Sequence, residues 1–179
     1  MAKHFKERQM LNLNLSKQNP KQVFRHVWKW VVAAILLAVL LLNVFSHVFH
    51  VVQYNGTGME PELTGGQLLV IQKVKTVQPG DVIAFYYNNQ ILVRRVIGMG
   101  GQQIEIDEHG AVSIGGVPLK EPYLKNQTLG QCNISFPFFV PSGTVFVMGD
   151  NRLEAMDSRL KEIGTVSEDR IIGKVILDF

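Results

Sequence analysis

Four short stretches collect the side chains able to do chemistry. Gly56-Thr57-Gly58-Met59-Glu60-Pro61 offers one hydroxyl, on Thr57, between two glycines. Arg94-Arg95-Val96-Ile97-Gly98 sets two guanidinium groups side by side. Gly80-Asp81-Val82-Ile83-Ala84-Phe85 adds a carboxylate ahead of an apolar run. Gly149-Asp150-Asn151-Arg152, followed by Asp157-Ser158-Arg159, supplies acids and guanidinium groups in matched order. A threonine hydroxyl becomes a nucleophile only beside a base, and Lys73 and His50 are the candidates for one. On an extended chain neighbouring side chains point to opposite faces, so Thr57 needs a one-residue shift to share a cleft with Gly58. Asp150, Arg152, Asp157 and Arg159 suit framework hydrogen bonds and ion pairs better than chemistry. Cys132 is the single cysteine. It excludes an internal disulfide, has no motif around it, and reads as a packed or half-exposed thiol. No His/Cys/Asp cluster has metal-ligand spacing. No phosphate loop, nucleic-acid motif or cofactor signature is present, so neither metal nor cofactor is expected.

These residues must be positioned by one membrane element and a set of strands. Val31–Leu42 is apolar throughout (VVAAILLAVLLL), and the apolar stretch extends over Trp28–Phe49, interrupted by Lys29, Asn43, Ser46 and His47. About 20 mostly apolar residues cross a bilayer as a helix, and tryptophans suit its interface. The segment after Leu42 offers no small-x-small cleavage site, so the span reads as an uncleaved anchor. His47 and His50 read as interfacial residues at its exit. Seven basic residues (Lys3, Lys6, Arg8, Lys17, Lys21, Arg25, Lys29) face Glu7 alone up to residue 29, a net +6. With +3 overall, the rest of the chain carries −3. Basic flanks stay on the cytoplasmic side, which places the N-terminus inside and the main domain outside. Residues 1–27 are thus a cytoplasmic basic tail, 28–49 the transmembrane helix and 50–179 an extracellular β domain. The weak apolar periodicity of Met10, Leu11, Leu13 and Leu15 fits a surface-lying helix or a disordered tail.

Beyond Val51 the pattern is strand-like: QLLVIQKV at 67–74, a Gln78-Pro79-Gly80 turn, then apolar runs on either side of Asn88-Asn89, which predict a hairpin. A second hairpin is predicted at His109-Gly110 and a turn at Gly115-Gly116. A strand TVFVM is predicted after Pro141-Ser142-Gly143, and a last one at RIIGKVILDF. Only 154–162 has room for a short helical turn. The fold class is all-β, an antiparallel sheet or barrel preceded by one transmembrane helix.

The four stretches, in this order behind one span, resemble the boxes of the type I signal peptidases. Gly149–Arg152 with Asp157–Arg159 is similar to GDNRxxSxDSR. The 56–61 stretch is similar to the G-x-S-M-x-P box of the nucleophilic serine, 80–85 to GD-x-x-x-F, and 94–98 to the KRVIG box of the catalytic lysine. The resemblance covers roughly residues 28–179. It implies a membrane-bound serine protease fold with a Ser/Lys dyad that removes signal peptides. It also puts Gly58 at the serine position and Arg94 at the lysine position. Glycine carries no nucleophile. A buried lysine can be tuned to act as a base, whereas a guanidinium stays protonated. Other departures lie nearby: Glu62, Met99–Gln102, Ala155 for the box serine, and Leu160–Ile163 before Gly164.

The expectation that follows is a chain that is not an enzyme, catalytic residues none, with Gly58 and Arg94 in the dyad positions. Thr57, Gly58, Met59, Pro61, Arg94 and Arg95 are then candidates for a peptide-binding cleft, because strand addition needs neither dyad member. Gly149, Asp150, Asn151, Arg152, Asp157, Ser158 and Arg159 form the framework. Arg94 suits a carboxylate of a partner, or an internal acid such as Glu60 or Glu62. The resemblance extends to dyad-lacking accessory factors of Gram-positive pilus clusters, which implies a membrane-anchored assembly factor or chaperone. Its partners would be a pilin subunit and/or a class C sortase, with the lipid bilayer and no nucleic acid. The alternatives are an active peptidase using Thr57 on pilin precursors and a scaffold that recruits an active signal peptidase.

Overall fold

Helical and strand periodicities divide the chain. The computed structural model describes residues 20–178, with side chains over 24–176; Lys3, Lys6, Glu7, Arg8, Lys17 and the periodicity at 10–15 lie outside them. Two compact units meet at His47/Val48. The first holds helix α1, Pro20–Val48. Proline is suited to a first helical turn because its missing N–H has no partner there. The helix therefore begins eight residues before Trp28. Phe24–Val48 is an apolar stretch of mean hydropathy 2.5, and every side chain from Phe24 to His47 is exposed. An apolar helix whose described side chains are exposed is consistent with a membrane anchor. Its end at Val48 corrects the 28–49 boundary, since Phe49 begins the first strand.

The second unit is mostly β-sheet. Its strands are β1 Phe49–Gln53, β2 Leu68–Gln72, β3 Val82–Tyr87, β4 Gln90–Met99, β5 Gln103–Ile106, β6 Val112–Ile114, β7 Val117–Pro118, β8 Phe138–Phe139, β9 Thr144–Met148, β10 Val166–Ser167 and β11 Ile171–Asp178. Seven of them form an antiparallel sheet in the order β1-β2-β11-β3-β4-β9-β10, and four form a smaller one, β7-β6-β5-β8. The Asn88-Asn89 hairpin joins β3 to β4, with Tyr87 opposite Gln90. Both asparagines have positive φ, 44° and 61°, the backbone that a two-residue turn needs to match strand twist. The second hairpin is clipped by Asp107 Oδ1, which accepts from the N–H groups of His109 and Ala111. Residues 154–162 fold as turns, and the helical piece lies further on, a single 3₁₀ turn at Glu168–Arg170.

The apolar run of β9 shows no polar alternation because both of its faces are buried. Val145 and Val147 pack with Ile83, Phe85 and Val96. Phe146 and Met148 pack on the other face with Ile97, Ile104 and Val140. A third cluster gathers Tyr54, Met59, Leu63, Leu69, Ile71, Ala84 and Val93. It holds the 54–63 segment against β2, β3 and β4.

Asn89 tests the hairpin. A β-branched residue is strained at positive φ, so Asn89→Val should lower stability by about 1–2 kcal/mol. Asn89→Gly should hold or raise it. Thermal unfolding followed by circular dichroism in detergent reads both.

Candidate functional site

Residues 57–60 form a tight turn rather than an extended strand: the Glu60 N–H donates to the Thr57 carbonyl at 3.2 Å. The turn is tied to the Gly149–Arg152 segment. Asn151 donates its backbone N–H to the Gly58 carbonyl and its side-chain amide to the Thr57 carbonyl, both at 3.1 Å. At Gly149 a Cβ would collide with the Gly58 carbonyl and the Ala155 methyl, so this close approach requires glycine.

β4 brings Arg94 to the same place. A Cβ built on Gly58 would lie 3.0 Å from Arg94 Nη2 and 3.1 Å from its Cζ. The guanidinium therefore rests directly against the glycine. Its Nε donates to the Met156 carbonyl at 2.9 Å and its Nη1 to the Val93 carbonyl at 2.6 Å. Burial pulls the Arg94 pKa down, opposed by the charge of Asp157 and by Tyr54. Tyr54 is pushed up by burial and pulled back by Arg94, and its hydroxyl accepts from the Met59 N–H at 3.1 Å. Gly58 and Arg94 line a cleft of about 570 Å³ with Thr57, Tyr54, Glu154, Met156 and the strand segments Val52–Gln53 and Gln90–Val93.

The other candidates have different surroundings. Thr57 lines this cleft without any register shift, because alternation applies to strands and 57–60 is a turn. Its Oγ1 donates to Glu154 Oε2 at 2.8 Å. Neither Lys73 nor His50 lines the cleft; Glu154 takes the place expected for them. Met59 is a correction, since it is fully buried in the core beneath the turn. Pro61 lines a neighbouring cavity of about 350 Å³ with Glu60, Asp150, Arg152 and Glu154. Arg95, next to Arg94 on β4, points to the opposite face and corrects the cleft assignment there. It binds Asp150 through Nε at 2.9 Å and Nη2 at 2.6 Å, and it lies 4.1 Å from the centroid of the Tyr123 ring. Burial works against the Arg95 charge, and the hydrogen-bonded Asp150 overrides it to raise the pKa. Arg94 binds neither Glu60 nor Glu62, which corrects the internal-acid expectation; among the described residues no carboxylate lies within ion-pair distance of it.

The framework residues lie together. Arg159 and Asp157 are both fully buried, with Nε–Oδ1 at 2.8 Å and Nη2–Oδ2 at 2.7 Å. Asp157 Oδ2 also accepts from the Gly149 N–H at 2.9 Å, and Ser158 Oγ accepts from Val147 N–H at 2.9 Å. Arg152 pairs with Glu121 and donates to the Gly149 carbonyl at 3.1 Å; its Nη1 is buried without an acceptor. Sequence reasoning missed Tyr54, Glu121, Tyr123, Glu154 and Met156. Glu154 and Thr57 are 97 positions apart, and no local pattern links them.

The family model "Signal peptidase, peptidase S26" matches residues 27–179. Signal peptidase I of Bacillus caldolyticus is 35% identical over 90% of this chain and 92% of its own. Signal peptidase I T of Bacillus subtilis is 33% identical over 90% and 89%. A solved signal peptidase I structure from Enterococcus faecalis is 32% identical and covers 59% of this chain and 100% of its own, with a TM-score of 0.49. The two Bacillus relatives correct the expectation that the chain is not an enzyme: they are named as signal peptidases and match it over 90% of its length. The cleft holds a hydroxyl, Thr57 Oγ1, hydrogen-bonded to a carboxylate, Glu154 Oε2.

Asp157→Asn leaves the Arg159 guanidinium buried beside a neutral group. Breaking one side of a buried pair costs about 3–5 kcal/mol, so the variant should unfold at a markedly lower denaturant midpoint than Asp81→Asn, whose partner Lys174 is half-exposed.

Proposed function

This chain belongs to the signal peptidase (peptidase S26) family, and from that membership we propose that it receives the signal-peptide segment of exported precursors as an extended strand in the Thr57–Gly58–Arg94 cleft. The carrying observation is a half-paired strand. β3 pairs with β4 from Gln90 to Arg95, whereas β9 takes the other edge only from Arg95 onward. Gln90–Val93 thus lines the cleft with one main-chain edge free of strand pairing, its Val93 carbonyl accepting from Arg94 Nη1; such an edge is the template that strand addition uses. The basic flank supports an N-terminus on the cytoplasmic side, with the cleft at the outer face of the cell membrane. Pilin precursors, handled together with a class C sortase, are the substrate class favoured by the sequence resemblance. In this role the protein presents pilin at the membrane for assembly.

One observation favours a second reading, hydrolysis at the same place. Thr57 Oγ1 already donates to Glu154. In that reaction Oγ1 bonds to the scissile carbonyl carbon and its proton passes to Glu154. The scissile C–N bond then breaks, the amine of the mature chain leaves with that proton, and water hydrolyses the ester to a carboxylic acid and the free Thr57 hydroxyl.

Full-length protein in detergent, mixed with pilin precursor and followed by pull-down and mass spectrometry, separates the readings. Capture of the precursor supports recognition. Cleavage at the signal-peptide junction that disappears in Thr57→Ala supports hydrolysis through that hydroxyl. Failure to capture the precursor removes both. A deletion strain that polymerises pili normally, with polar effects excluded, removes the pilus assignment alone.

A further inference from the structure

Four arginines are buried in the β unit, and three have an internal acid: Arg95 with Asp150, Arg152 with Glu121, Arg159 with Asp157. Arg94, only 6% exposed, has none. The acid that acts on it most strongly, Asp157, is already held by both arms of the Arg159 fork. A guanidinium keeps its proton even when buried, and a buried charge without a counter-charge is costly. The residue nevertheless lines the wall of an open cleft. We infer that Arg94 is a receptor for the free C-terminal carboxylate of a peptide bound in that cleft.

This rests on the reading of the cleft as a peptide site, and topology supplies the ligand class. An extended chain laid along Gln90–Val93 in the direction of β4 has an edge free of strand pairing to follow, ending at the Val93 carbonyl that Arg94 Nη1 already holds. It meets a stop where β9 takes over at Arg95. A chain that ends there places its terminal carboxylate at Arg94, while one that continues must turn away. Glycine at 58 lets the guanidinium reach this wall, because a side chain there would press on Nη1, Nη2 and Cζ. The ligand that uses the Arg94 charge is therefore a peptide that ends in the cleft, such as the fragment a cleaved signal peptide leaves; an uninterrupted precursor can lie along the same strand but brings no carboxylate to Arg94.

The test uses full-length protein in detergent micelles and one fluorescent peptide of signal-peptide sequence, made as a free acid and as a C-terminal amide. The acid should bind about tenfold or more tightly than the amide, the scale of a charge-assisted hydrogen bond. Arg94→Gln should bring the acid to the level of the amide. Equal affinity of acid and amide for the wild-type protein overturns the inference and leaves precursor recognition standing. Failure of both peptides to bind while intact precursor is still captured also overturns it. Failure of peptides and precursor alike removes the proposed function as well. The acid–amide comparison on the wild-type protein needs no substitution, so it stands even if Arg94→Gln does not fold.

Discussion

The buried Asp157–Arg159 pair is the constraint on which the cleft depends. Both side chains are wholly out of water, so neither charge can exchange its partner for solvent. One carboxylate oxygen also binds the Gly149 N–H, and one guanidinium nitrogen binds the Leu129 and Arg152 carbonyls. A single ion pair thereby fixes both ends of the 149–159 loop. That loop supplies Asn151, which holds the Gly58 turn, and Met156, whose carbonyl fixes Arg94. The position of the cleft wall is set from beneath by an ion pair that does not itself line the cleft.

The two neighbouring arginines of β4 show how strand geometry divides similar side chains between different tasks. Arg95 turns toward Asp150 and Tyr123 and is neutralised inside the protein. Arg94 turns toward the cleft, where it donates to the Met156 and Val93 carbonyls beside the Tyr54 hydroxyl and has no carboxylate partner. The difference is one residue of strand alternation, and it leaves positive charge facing the cleft.

The cleft exists because β9 is shorter than β4. Pairing on that side begins at Arg95, so the first half of β4 keeps a bare edge beside the Thr57–Gly58 turn. A strand edge beside a solvent-filled groove suits main-chain recognition of an extended peptide with limited dependence on its sequence. Thr57 and Glu154 lie at the same wall, which brings a hydroxyl and a carboxylate next to any peptide seated there.

Much was legible in the sequence because it is local. The apolar run of 28–49 marks a membrane-length helix, and the hairpin at Asn88-Asn89 follows from two residues tolerant of positive φ. The order of the four boxes pointed to the family and put Gly58 and Arg94 in register with each other. Other features depended on tertiary structure. Alternation misdirected Thr57, since 57–60 is a turn fastened by hydrogen bonds from Asn151 far along the chain. Met59 looks like a cleft residue in a motif but is core once Tyr54, Leu69 and Val93 close over it. Glu154 carries no signal at all until folding brings it across 97 positions to Thr57. Sequence determines what each segment prefers by itself; which acid meets which hydroxyl, and which arginine is left without an acid, is decided only when distant segments pack and exclude water between them.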